Sequence, residues 1–156
     1  MKIIENRHLI PLAVLMVQKE VAQRLTAEPG TKDYGILSIA VNMYADVNMV
    51  CTIGKEAFLP PPKVESAVVQ IMLRQKPREE VDDEAFFFKV VEAAFGERRK
   101  TVRNSLSRRL KIQGSDSEAI DQALKETGID PMRRGETLSI KEYAELSKVL
   151  KCKISE

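Results

Sequence analysis

Phe58-Leu59-Pro60-Pro61-Pro62-Lys63-Val64-Glu65-Ser66 runs straight into the apolar segment Ala67–Leu73, so an aromatic residue and a rigid proline run stand just before a strand-like stretch. Three consecutive prolines fix φ and favour an extended polyproline conformation, so the loop carrying Phe58 loses little entropy when a ligand docks on it. A flat side chain held in this way suits a planar partner, and a nucleobase is the obvious one. The same residues also have a purely structural reading, in which the prolines end one element and Phe58 fills the core.

Working outward, Val47–Ile53 and Ala67–Leu73 read as two strands flanking the proline loop. Leu12–Val17 is a continuous apolar run without polar alternation, which predicts a central parallel strand covered on both faces. Lys19–Ala27 reads as a helix whose Val21, Ala22 and Leu25 share a face, and the Pro/Gly-containing segment from Glu28 to Asp33 as a loop. Ile36–Tyr44 fits strand or helix on pattern alone. Beyond Lys76-Pro77 the periodicity turns helical. Asp82 or Asp83 is placed to cap a helix carrying Phe86, Phe87, Val90, Val91 and Ala94. Ser115 with Glu118, and Ser139 with Glu142, have capping-box spacing, while Gly114, Gly128 and Gly135 punctuate the segment. Phe86-Phe87-Phe88 point in different directions on a helix, which favours core filling over base stacking.

The 156 residues are 44% hydrophobic, enough to bury a core, and their net charge of +2 conceals a segregation. Glu79, Glu80, Asp82, Asp83 and Glu84 form an acidic run; Arg98, Arg99, Lys100, Arg103, Arg108, Arg109 and Lys111 form a basic one with no acid inside it. Phe95, Val102, Leu106 and Leu110 recur at spacings that put them on one helical face while most of the cations point elsewhere. A face made only for solubility interleaves signs and i,i+4 pairs. Their absence here points to RNA phosphate contact, against the alternative of an ordinary solvated face. The two cysteines, Cys51 and Cys152, have no metal-ligand or redox spacing and are expected as free thiols in a reducing cytoplasm. His8 lies in a polar stretch without a partner for catalysis and is assigned no role. Neither a membrane span nor a signal peptide is expected.

The segment from Phe58 to Ser66 resembles the F-x-P-x-P-x-V-x-S motif of the ribosomal RNA adenine dimethyltransferases, which use S-adenosylmethionine to place two methyl groups on adenine N6 in small-subunit rRNA. Further stretches resemble the same family in its order: Val14 to Leu25, Leu37-Ser38, Ala94 to Leu106, and Ile129 to Ser139. The resemblance favours a helix at Ile36–Tyr44. It implies an α/β fold, namely the last three strands of a partial Rossmann-like methyltransferase sheet (residues 1–76), followed by a small all-α RNA-positioning domain (residues 77–156). The last two strands would form an antiparallel pair beside Leu12–Val17.

The resemblance also implies which parts are absent. The glycines, at 30, 35, 54, 96, 114, 128 and 135, form no G-x-G pair, so the turn that lets a backbone approach a nucleotide-like cofactor has no candidate. The family's Asn-Leu-Pro-Tyr type motif is missing too, since Asn42-Met43-Tyr44 has the wrong spacing and no proline. The chain therefore reads as the C-terminal part of such an enzyme, with no catalytic residue and no cofactor ligand of its own; S-adenosylmethionine belongs to the intact enzyme and is not expected to bind here. Phe58, Pro60 and Pro61 are the expected target-base contacts, and Lys63, Arg98, Arg99, Lys100, Arg103, Arg108, Arg109 and Lys111 the RNA contacts. The expected partner is small-subunit rRNA or the small ribosomal subunit, in the cytoplasm. An unpaired edge at residues 12–17 is expected to be covered by self-association or by the N-terminal residues. Two other classes remain open: a non-catalytic RNA- or ribosome-binding module, and a structural domain whose basic face meets an acidic protein.

Overall fold

The computed structural model describes residues 2–110 and 116–154. They form two compact units, one built from the residues up to Glu28 with Asp33–Arg78, the other from Pro29–Lys32 and the residues from Glu79 onward. No described helix is long and apolar enough to cross a membrane.

The first unit contains α1 (Lys2–Glu5), β1 (Leu12–Gln18), α2 (Lys19–Leu25), α3 (Ile36–Asn42), β2 (Ala45–Ile53) and β3 (Ser66–Leu73). β3 lies between β1 and β2 and is antiparallel to both, with Val69 opposite Leu15 on one side and Met49 on the other. Alternate residues of β3, Ala67, Val69, Ile71 and Leu73, are buried in a core with Ala22 and Leu25 of α2 and Val41 of α3. Each large apolar side chain buried in this way contributes about 1.5–3 kcal/mol. Ile3, Ile4 and Ile10 pack against the same core.

β1 departs from the expectation of a central parallel strand with two covered faces. Among the described residues it is an edge strand, paired antiparallel with β3. Its residues alternate: Ala13, Leu15 and Val17 pack on the core, while Leu12, Val14 and Met16 are exposed beside Met72 of β3. An all-apolar run shows that no residue is obliged to face water, but it does not supply the layer that would cover the second face. On the far side of the sheet, β2 carries a bulge at Val50, where the register steps from Met49 opposite Val69 to Cys51 opposite Val68.

Ile36–Asn42 is helical, as the family resemblance requires, and its side chains bind the end of α2. The buried Ser38 hydroxyl donates to the Arg24 carbonyl (2.6 Å) and accepts from the Gly35 amide (3.1 Å), while Asn42 Nδ2 donates to the Leu25 carbonyl (2.9 Å). Carbonyls left unpaired at the end of α2 thus find partners on α3.

The second unit holds α4 (Glu84–Phe95), α5 (Val102–Arg109), α6 (Asp116–Glu126) and α7 (Ile140–Ile154). Asp83 caps α4, accepting from the Phe86 amide (2.9 Å), and also takes an ion pair from Lys151 of α7 (2.9 Å). Phe87, Val90, Val91, Ala94, Leu106, Ile120, Leu124, Tyr143, Leu146 and Leu150 are buried. Phe87 fills the core and meets Phe88 edge-on at 5.1 Å. The expected stripe of one basic helix is divided: Phe95 closes α4, a turn follows, and Val102, Leu106 and Leu110 continue the buried face in and just after α5. Gly96, which lacks a side chain, lies at the break.

The capping box at Ser139 forms: the Glu142 amide bonds the Ser139 hydroxyl (3.2 Å), and the Glu142 carboxylate accepts from the Ser139 amide (2.8 Å) and hydroxyl (2.9 Å). The same carboxylate binds the Arg133 guanidinium, whose Nη2 also donates to the Thr137 carbonyl (2.6 Å). The Ser115 box and Lys111 lie outside the described residues.

Burial pushes the Glu142 carboxyl up, but Arg133 and the two Ser139 donors outweigh it and hold the carboxyl below its usual value. A depressed carboxyl adds stability that is present above its unfolded pKa and lost as pH falls through the folded one. Thermal unfolding followed from neutral into acidic pH should therefore show a flatter profile for Glu142→Gln than for the unsubstituted chain; parallel profiles would refute the assignment. Gly135 is buried where an added Cβ would stand 2.8 Å from the Ala94 carbonyl oxygen and 3.0 Å from the Tyr143 hydroxyl. Gly135→Ala is expected to destabilise the chain by about 1–3 kcal/mol, read by denaturant unfolding.

Candidate nucleic-acid interface

The proline loop starts from a short 3-10 turn at Lys55–Ala57 that follows β2. Phe58 is extended (φ −121°, ψ 149°), half-buried, and donates its amide to the Lys55 carbonyl (3.3 Å). Leu59 is 98% exposed, Pro60, Pro61 and Lys63 are exposed, and the Leu59-Pro60 peptide is cis. Phe58 is thus fixed through its backbone and only partly buried as a residue. A fully core-filling Phe58 does not describe it.

At its other end the loop is pinned to the β1–α2 junction. The Lys19 amide donates to the Glu65 carbonyl (2.9 Å), and the Lys19 ammonium pairs with the Glu65 carboxylate (2.8 Å). Lys19 first, and then Lys55, hold the Glu65 carboxyl below its usual range. Between the junction and the loop lies a cleft of about 390 Å³ lined by Gln18, Lys19, Glu20, Gln23, Lys55, Lys63, Val64 and Glu65. Lys63 was expected at a site; Lys19, Lys55 and Glu65 were not. Their signal in the sequence was position alone: Lys19 directly follows the strand, and Lys55 stands three residues before Phe58.

The basic segment belongs to the second unit, and folding changes its charge balance. Arg103 makes a two-pronged pair with Asp121 of α6 (2.5 and 2.7 Å), which holds the Asp121 carboxyl below its usual range. Arg98 pairs with Glu136 (3.1 Å) and donates to the Lys32 carbonyl (2.9 Å), and Arg108 lies 3.6 Å from Glu97. Arg109 donates to the Gly96 carbonyl (3.2 Å). Arg99 and Lys100 are exposed, without a carboxylate partner among the described residues, and line a second cleft of about 370 Å³ with Gly96, Glu97 and Arg98. The sequence run contains no acid, but acids from α6 and the 135–137 turn neutralise part of it. Of the expected RNA contacts in this segment, Arg99, Lys100 and Arg109 have no carboxylate partner among the described residues, and Arg109 is held by the Gly96 carbonyl.

Residues 1–151 match the family described as ribosomal RNA adenine dimethylase. The chain belongs to that family. It is similar to the ribosomal RNA small subunit methyltransferase A of Bacillus mycoides and of Bacillus cereus, 50% identical in each case over 149 residues. The match covers 96% of this chain and 51% of either relative, so the chain spans about half the length of these curated proteins. Among solved structures, the fold is similar to a dimethyladenosine transferase from Plasmodium falciparum (TM-score 0.75, 24% identity, 93% of this chain and 58% of that one). It is also similar to the 23S rRNA methyltransferase ErmE (TM-score 0.60, 23% identity, 91% and 55%). The architecture is accordingly a partial methyltransferase fold, with three antiparallel strands and accompanying helices.

The β1–α2 junction lacks the glycine turn that brings a backbone close to a nucleotide-like cofactor. Among the described residues, β1 is the strand that passes straight into a helix, and it does so with no glycine and no loop: Gln18 ends the strand and precedes the first helical residue, Lys19. The close backbone approach that a nucleotide-like cofactor needs is absent there. No described group of His, Cys, Asp or Glu suits a metal ion either.

Two variants separate structural from free cations. Arg103→Ala should lower the melting temperature by removing the Asp121 pair, whereas Arg99→Ala with Lys100→Ala should leave it unchanged. Equal shifts would overturn this division.

Proposed function

We propose that this chain is the target-base and RNA-positioning portion of an S-adenosylmethionine-dependent rRNA adenine N6,N6-dimethyltransferase acting on small-subunit rRNA in the cytoplasm, with the cofactor held by residues that this chain does not supply. Its membership of the family over residues 1–151 carries the reading, and the half-length match to the methyltransferase A relatives supports its partial character. The domain roles follow: residues 1–76 present the target base, and residues 77–156 contact RNA.

An adenine within a stack must be extruded before its N6 can react, at a cost of a few kcal/mol. The partly buried Phe58 would offer the flipped base a stacking surface worth about 1–3 kcal/mol, with the exposed Pro60 and Pro61 beside it in the loop. Lys63, Arg99 and Lys100 supply phosphate contacts; Arg98, Arg103, Arg108 and Arg109 act chiefly by shaping the surface from which those contacts reach out. No step of the methyl transfer is assigned to residues of this chain. A non-catalytic RNA- or ribosome-binding module is the second reading, favoured by the lack of a glycine turn at β1. The open edge of β1, with exposed Leu12, Val14 and Met16, is the surface for self-association; a concentration-dependent sedimentation coefficient is the expected sign.

The deciding experiment mixes this chain with unmethylated small ribosomal subunits and radiolabelled S-adenosylmethionine. Binding without methyl incorporation is expected, and incorporation would overturn the assignment of the cofactor site to other residues. In a protein extending to the full length of the relatives, Phe58→Ala should lower turnover by about 5- to 150-fold with little loss of subunit binding. Unchanged methylation would remove Phe58 from the site.

A further inference from the structure

We infer that the cleft between the β1–α2 junction and the proline loop is a phosphate site for the RNA strand next to the base stacked on Phe58, with Lys55 and Lys63 as its working cations and Lys19 as its fixed wall. This inference rests on the reading of Phe58 as a base platform.

Three lysines and two carboxylates line the cleft. The carboxylates are already committed: Glu65 to Lys19 at 2.8 Å, and Glu20 to Arg24 at 2.5 Å. Lys55 and Lys63 are exposed and have no carboxylate within ion-pair distance among the described residues. What remains for a ligand is therefore positive, and a cation with no internal partner gains most from an anion brought to it. Lys55 and Glu65 line the same cleft, and Lys55 helps hold the Glu65 carboxyl below its usual range.

The two cations flank Phe58 in sequence, three residues before it and five after, on a loop tethered at its 3-10 turn and again at the Lys19–Glu65 contacts. Phosphates alternate with bases along a strand, so a base lying on Phe58 brings a neighbouring phosphate to the loop that carries Phe58 and both lysines. The Lys19–Glu65 pair keeps this wall in place without consuming the two outer ammoniums. A cleft of about 390 Å³ accommodates a phosphate with part of its sugar. Extruded nucleotides need such anchoring, because stacking fixes the plane of the base but not its position along that plane.

The test measures binding of a short single-stranded adenine-containing RNA to this chain by fluorescence anisotropy, over a range of salt concentrations. Lys55→Ala with Lys63→Ala is compared with Arg99→Ala with Lys100→Ala, melting temperatures being checked for each. Losing two phosphate contacts should reduce the slope of log affinity against log salt by about 1.4, and Lys55→Arg with Lys63→Arg should restore it. An unchanged slope in Lys55→Ala with Lys63→Ala, alongside a reduced slope in the Arg99 and Lys100 variant, overturns this site and leaves the proposed function standing. Absence of RNA binding by the unsubstituted chain overturns both. Displacement of the RNA by adenosine monophosphate at equal phosphate concentration would show a mononucleotide site and overturn the strand contact.

Discussion

Everything in the first unit depends on β3 pairing antiparallel with β1 and β2 at once. Its alternate residues Ala67, Val69, Ile71 and Leu73 are the apolar spine on which α2 and α3 settle, and its two rows of backbone hydrogen bonds hold the flanking strands in register. Because β3 begins at Ser66, where Gln18 ends β1, the proline loop feeding it must arrive beside the β1–α2 junction. The Lys19–Glu65 contacts complete that meeting. An aromatic ring, three lysines and a cleft are thus gathered at one end of the sheet by strand register rather than by any local motif.

The second unit solves a different problem, the packing of a cationic segment without self-repulsion. Acids distant in sequence do this: Asp121 for Arg103 and Glu136 for Arg98. Such exposed or half-exposed pairs stabilise little individually, but they fix which cations remain available to a partner. The side chains of Arg99 and Lys100, in the turn between α4 and α5, keep neither an acid nor a carbonyl partner among the described residues. Gly135 permits the close approach of its turn to α4 that places Glu136 beside Arg98.

The sheet face carrying Leu12, Val14, Met16 and Met72 is large, apolar and exposed, with an open strand edge beside it. Surfaces of this kind occur where another layer belongs.

The sequence by itself determined the three strands, most of the helices and several of their starts. Asp83 and Ser139 cap helices because their side-chain oxygens reach amides two or three residues away, a contact that needs no tertiary structure. The proline loop and its Phe58 were legible for the same reason, as were the family motifs. Tertiary structure alone decided three things. It left one face of β1 bare, since an apolar run reveals tolerance for burial but not the presence of a covering layer. It broke the basic helix at Gly96 and matched Arg98 and Arg103 with acids that lie 38 and 18 residues further along the chain. It also brought Lys19 to Glu65 across 46 residues of sequence, creating a cleft that periodicity does not encode, because ion pairing and strand register act between segments brought together only by folding.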